Sequence, residues 1–186
     1  MSLWHGFKAE ASRIAERMRQ RIGLRAIDPL DIDLLSKYLK VPICTLSGFR
    51  KLCPDAVRHL TIVESGSFSA VTIPCGPSTQ IILHNDSHAL VRQRSNLAHE
   101  FAHIILDHPM TLPLDNTGCR YIDRDIEHEA NWLGGVLLVT DAAALHIVRT
   151  EMPILDACNY YGVSRQMLRF RLNTSGAHLR YERMVR

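Results

Sequence analysis

His99 and His103 stand four residues apart in a stretch of helical apolar spacing, and no other feature of the chain constrains its fold as tightly. Leu90, Val91, Leu97, Ala98, Phe101, Ala102, Ile105 and Leu106 recur at helical steps between Asn85-Asp86, a capping pair, and Pro109, which stops the helix. Side chains four apart on a helix leave the same face one turn apart, so the two imidazoles can converge on one tetrahedral ion. Glu100 lies about 100° round the helix from His99. From there it can reach a metal-bound water without itself becoming a ligand, which is where a general base has to stand. The plain alternative is a helix carrying two solvated histidines.

The third ligand decides which class of zinc hydrolase such a helix belongs to. A metzincin needs Gly at 106 and His at 109, where this chain has Leu106 and Pro109, so that class is excluded. The other source is a carboxylate from a later helix. A second periodic stretch, about 123 to 139, carries Ile126, Ala130, Leu133, Val136 and Leu137 on one side and offers Glu127 and Glu129, which face different sides. Ala130, Leu133 and Leu137 mark the packed face. Glu127, three residues before Ala130, is nearer to it and is the expected ligand, with Glu129 as the alternative. Asn131, one turn after Glu127, could hydrogen-bond a ligand imidazole from behind or be an ordinary solvated helix residue. Tyr121, in the loop before this helix, could donate to an oxyanion or be a partly buried loop tyrosine. His108, one residue past an i+4 step from His103, falls off the ligand face and is expected to cap or leave the helix.

The rest of the chain reads as scaffold. Residues 7 to 22 form an amphipathic helix closed by Gly23, and Asp28-Pro29 starts a second with Leu30, Leu34, Leu35 and Leu39 on one face. From 41 to 84 the character changes to short β-branched stretches (41–46, 60–63, 70–73 and 80–83) separated by Gly, Pro and Ser, which predicts a small mixed or antiparallel sheet. Residues 153–173 read as a pair of short helices joined by Gly162-Val163, with Ser164 as a cap. At 186 residues, with 46% hydrophobic and 22% charged, the chain is an ordinary globular composition, read as one domain over 1–186. The five cysteines are odd in number and form no CxxC pair, so they are expected to be reduced, in a cytoplasmic protein. Lys8, Glu10, Arg13, Glu16, Arg17 and Arg19 leave no room for an apolar signal core, and no apolar run approaches the roughly 20 residues that cross a bilayer. The formal charge of +3 is too small to imply nucleic acid by itself.

His99-Glu100-Phe101-Ala102-His103-Ile104-Ile105-Leu106-Asp107-His108, followed by Glu127-His128-Glu129-Ala130-Asn131-Trp132-Leu133-Gly134-Gly135-Val136-Leu137-Leu138, resembles the ImmA/IrrE family of zinc peptidases. The signature of that family is a HExxHxxLxH helix and a later ExxANxxAxxLL helix. The resemblance extends to Ile27-Asp28-Pro29-Leu30-Asp31-Ile32 and to Tyr161-Gly162-Val163-Ser164 with Arg171-Leu172, leaving only 45–80 without a specific match. Gly134 and Gly135 stand where the family usually has small apolar residues, and Val139-Thr140 replaces its usual Met-Pro. The resemblance implies site-specific intracellular endoproteolysis of a regulatory protein, typically a helix-turn-helix repressor encoded beside the peptidase. It implies an α+β, zincin-like single domain, with the sheet packed on the His99 helix (86–140 supplying both metal-site helices), holding one zinc ion per chain. Zinc would polarise the scissile carbonyl and acidify a water, and Glu100 would carry the proton to the leaving amine.

Two readings of other kinds stand beside this one. Arg165, Arg169 and Arg171 decorate the second helix of the 153–173 pair, whose spacing is like a DNA-binding helix-turn-helix. Against it, Val163, Met167, Leu168, Phe170 and Leu172 suffice for core packing, and direct nucleic-acid binding is not expected. A zinc-bound interaction module without catalysis would require a fourth protein ligand, such as His108 or His128, to close the site.

Overall fold

The computed structural model describes residues 3–76, 79–109 and 123–186, and the amphipathic stretch near the start of the chain forms helix α1 (Phe7–Arg21). It buries Phe7, Ala11 and Ala15 and also Arg19. Helix α2 (Ile32–Leu39) starts later than Asp28-Pro29 suggested: Asp31 is its cap, accepting from the Leu34 amide. Asp28 is instead taken by Arg25, at 2.7 Å.

Strands β1 (Ile43–Thr45), β2 (Ala70–Gly76) and β3 (Thr79–His84) form a sheet of order β1-β3-β2, with β1 parallel and β2 antiparallel to β3. The expected strand at 60–63 is not there. Pro54 opens helix α3 (Pro54–Arg58), which runs straight into a wider helical turn, His59–Val63. The Thr61 hydroxyl donates to the Val57 carbonyl at 2.7 Å, and Ile62 and Val63 are exposed, so the β-branched run has no sheet surface to cover.

Helix α4 (Leu90–Ile105) carries His99, Glu100 and His103. Asn85-Asp86 does not cap it. Asn85 is fully buried and donates to the carbonyls of Leu60 and Phe68, while Asp86 accepts from the amide of Ser47; the pair ties the end of β3 to the preceding loops. Helix α5 (Arg124–Leu138) is capped by Asp123. Four helices follow: α6 (Asp141–Arg149), α7 (Ile154–Tyr161), α8 (Arg165–Thr174) and α9 (Ala177–Val185). The 153–173 pair corresponds to α7 and α8, with Ser164 accepting from the Met167 amide; α6 and α9 had no counterpart in the sequence reading. The described residues thus form an α+β fold of nine helices and a small mixed sheet.

Helix α4 is the centre of this arrangement, with β2 and β3 on one side and α5 on the other. The two helices pack so closely at Gly134 that a Cβ there would lie 3.2 Å from the backbone N and Cα of His99. Leu97, Ala98 and Phe101 meet Leu133, Val136 and Leu137 in one core, where each fully buried large side chain contributes about 1.5–3 kcal/mol.

Two buried guanidiniums hold the C-terminal end of α5. Arg19 donates to the carbonyls of Leu137 and Leu138, and Arg171 from α8 donates to the Val139 carbonyl and pairs with Asp141 at 2.6 Å. Cations suit the free carbonyls at a helix C-terminus. Burial lowers the Arg19 pKa to about 10, which leaves it charged at neutral pH. Thr140 links the same corner to the N-terminal region, its hydroxyl donating to the Ala26 carbonyl at 2.6 Å while it accepts from the Ala143 amide to cap α6. Among the described residues no single helix is long and apolar enough to cross a membrane.

Candidate metal centre

The third and fourth turns of α4 present its two histidines toward α5. Nε2 of His99 and Nε2 of His103 are 3.0 Å apart, and Glu127 brings one carboxylate oxygen to 3.3 Å from the first and the other to 3.6 Å from the second. All three side chains are partly buried, and their donor atoms lie within 4.8 Å of one another. An ion with tetrahedral bonds of about 2.0–2.1 Å separates its ligands by roughly 3.3 Å, so these spacings fit one small divalent cation. Two imidazole nitrogens and a carboxylate oxygen are also the donors such a cation takes at a catalytic site, where a fourth position is left open.

Glu100, next to His99 in the same helix, makes its contact with the sheet. It is 7% exposed, and its carboxylate accepts a hydrogen bond of 2.7 Å from the Thr72 hydroxyl on β2. The helix therefore divides its polar side chains by direction: histidines toward α5, the carboxylate toward the sheet. Thr72 carried no signal in the sequence, because a threonine in a short strand is ordinary and only the packing of β2 on α4 brings it to Glu100.

Glu129 is two residues from Glu127 and faces elsewhere. Its Oε2 lies 3.2 Å from Nε2 of His108, whose other ring nitrogen, Nδ1, is 2.9 Å from Nδ1 of His103. His108 therefore does more than leave the helix, which was the expectation for it. Asp107 adopts a left-handed conformation (φ 52°), and this turns the chain so that the imidazole folds back over His103. Asn131 is exposed and, with Ser95, His128, Trp132 and Met167, lines a cleft of about 590 Å³ whose described lining includes none of His99, Glu100, His103 and Glu127; among the described residues no hydrogen bond joins it to His99 or His103. Tyr121 lies outside the described residues. In α8, Arg171 is buried in the α5–α6 corner while Arg165 and Arg169 are exposed, and Leu168 and Leu172 pack into the core.

Paired imidazoles on one helix with a carboxylate from the next are the donor arrangement of metal-dependent hydrolases. The model of the peptidase family described as the IrrE N-terminal-like domain matches residues 58–173, from the end of α3 to the last turn of α8. The chain belongs to that family, the ImmA/IrrE metallopeptidases, whose activity depends on a metal ion. No curated protein matches the chain.

Proposed function

We propose that the chain is a zinc-dependent endopeptidase with a zincin-like site, in which His99, His103 and Glu127 hold the ion and Glu100 is the general base. The observation that carries this reading is the spacing of 3.0, 3.3 and 3.6 Å among the three donor side chains, one helical residue away from a buried carboxylate. Zinc, when bound, polarises the scissile carbonyl and lowers the pKa of a water. Glu100 would be the residue that accepts a proton from the attacking water and passes it to the leaving amine nitrogen, and Thr72 would hold its carboxylate in place for both transfers. Asn131 stands on the cleft wall one turn beyond Glu127, where its amide can meet the backbone of a bound polypeptide.

A closed, non-catalytic site is disfavoured by where the spare histidines lie. Both ring nitrogens of His108 are engaged, Nδ1 with the rear nitrogen of His103 and Nε2 with Glu129, and His128 is exposed on the cleft. DNA contact through α8 is disfavoured because one of its three arginines is spent inside the core. Family membership supports a protein substrate, and a helix-turn-helix repressor in the cytoplasm is the substrate we propose. The test is incubation with the repressor encoded by a neighbouring gene, followed by mass spectrometry of the products. Cleavage at a defined bond by wild type and none by Glu100→Gln is expected; equal cleavage by both would refute the assignment of the base.

A further inference from the structure

We infer that His108 and Glu129 form a positioning relay behind the metal centre, fixing the tautomer and ring plane of His103; this deepens the reading above and rests on it. If Nε2 of His103 faces the ion, the ring proton must be on Nδ1. That proton points at Nδ1 of His108, 2.9 Å away, and the remaining proton of His108, on Nε2, points at the Glu129 carboxylate at 3.2 Å. Each nitrogen in the series then has one role: His103 Nδ1 donates to His108, and His108 Nε2 donates to Glu129. Reversing any one bond would put a proton on the nitrogen that faces the ion.

The relay is built and not incidental. The His108 side chain is 8% exposed and that of Glu129 is 22% exposed, so both bonds are largely shielded from solvent. The backbone is committed as well. The left-handed Asp107 reverses the chain just past the end of α4, and the His108 amide donates to the His103 carbonyl at 3.0 Å. Main chain and side chain of His108 thus both hold the same residue of α4. A carboxylate behind a metal-bound imidazole ordinarily fixes that ring directly; here a second imidazole is interposed, because Glu129 is placed to meet His108. The two glutamates of α5 have divided tasks: Glu127 faces the ion and Glu129 anchors the ring behind it.

The test is zinc affinity of the full chain, measured by competition with a chromophoric chelator, for His108→Phe, His108→Asn, Glu129→Gln and the double variant His108→Phe/Glu129→Gln. His108→Phe keeps the ring volume and removes the acceptor, and is expected to weaken zinc binding about 10–100-fold. His108→Asn carries an amide oxygen close to the position of Nδ1 and is expected to recover much of that loss, which a purely space-filling role would not allow. Glu129→Gln should weaken binding less than His108→Phe, and the double variant should bind as His108→Phe alone, because Glu129 acts through His108. If His108→Phe melts below wild type without metal, the Asn and Gln variants carry the comparison. Affinity of His108→Phe within about twofold of wild type, or no gain from Asn over Phe, overturns the relay while leaving the metal centre intact. A wild-type chain that binds no zinc would instead overturn the metal centre itself, and the relay with it.

Discussion

The crossing of α4 and α5 at Gly134 yields a contrast between two neighbouring substitutions. Replacing a mid-helix glycine with alanine ordinarily gains about 0.5–1 kcal/mol through backbone entropy. At Gly135 the new Cβ would meet the sulfur of Met167 at 3.4 Å, a flexible side chain that can shift. The full gain is expected there, and Tm should rise by about 1–4 °C. At Gly134 the Cβ would meet the His99 backbone at 3.2 Å and the Ala98 carbonyl carbon at 3.3 Å, atoms fixed within α4. Carbon pairs prefer about 3.5–4.0 Å. Relief therefore separates the helices by a few tenths of an ångström and disturbs the packing of Leu133 and Leu137, an overpacking cost of about 1–3 kcal/mol. Gly134→Ala is thus expected to be neutral to about 2.5 kcal/mol destabilised, always melting below Gly135→Ala. The same separation draws Glu127 away from His99 and His103, so zinc affinity should fall in Gly134→Ala only. Calorimetry and chelator competition read both quantities. Equal melting temperatures, or a Gly134→Ala chain that is the more stable of the two, would refute the argument that backbone contact at this crossing sets the geometry of the centre.

Further expectations follow from other contacts. Thr72→Val should lower cleavage turnover by about 10- to 100-fold, since a hydrogen bond to a charged group is worth about 1.5–3 kcal/mol, with zinc content unchanged; undiminished turnover would show that Thr72 does not orient Glu100. Arg171→Met leaves the Val139 carbonyl and Asp141 without their buried cation, and chemical denaturation should show a loss of about 3 kcal/mol; a change below about 1 kcal/mol would contradict it. Burial at the end of β3 lowers the pKa of His84, so the folded chain favours its neutral form. The stability this represents is present above the unfolded value of about 6.5 and is lost as pH falls below it toward the folded value. His84→Gln should therefore flatten the acid limb of the metal-free stability curve by at most about 1.4 kcal/mol per pH unit, and parallel curves for the two proteins would exclude that role.

The meeting of His99, His103 and Glu127, and the helices that carry them, were legible because the spacing is local. A step of four between histidines fixes a face whatever surrounds it, and the apolar side of α5 is enough to place Glu127 nearer to them than Glu129. What the sequence concealed was set by tertiary placement. The β-branched run 60–63 reads as a strand, but Pro54 had already committed the chain to a helix. Asn85-Asp86 has the chemistry of a cap, yet both side chains satisfy loop groups from 47 to 68. His108 sits beyond the regular helix, so helical phase says nothing of its direction, which depends on the left-handed turn at Asp107. Helix α6 follows a Thr140 cap too closely behind α5 for the break to show in apolar periodicity, and α9 has a weakly apolar face with only Ala177 buried.

Whether Glu127 completes a zinc site with the two histidines of α4 decides the chemistry of the centre. Elemental analysis of wild type, Glu100→Gln, Glu127→Ala and Glu129→Ala, purified alike, measures that. One zinc per chain is expected in wild type and Glu100→Gln, weakened but detectable zinc in Glu129→Ala, and little in Glu127→Ala. Zinc absent from wild type, or retained in full by Glu127→Ala while Glu129→Ala loses it, would contradict the assignment.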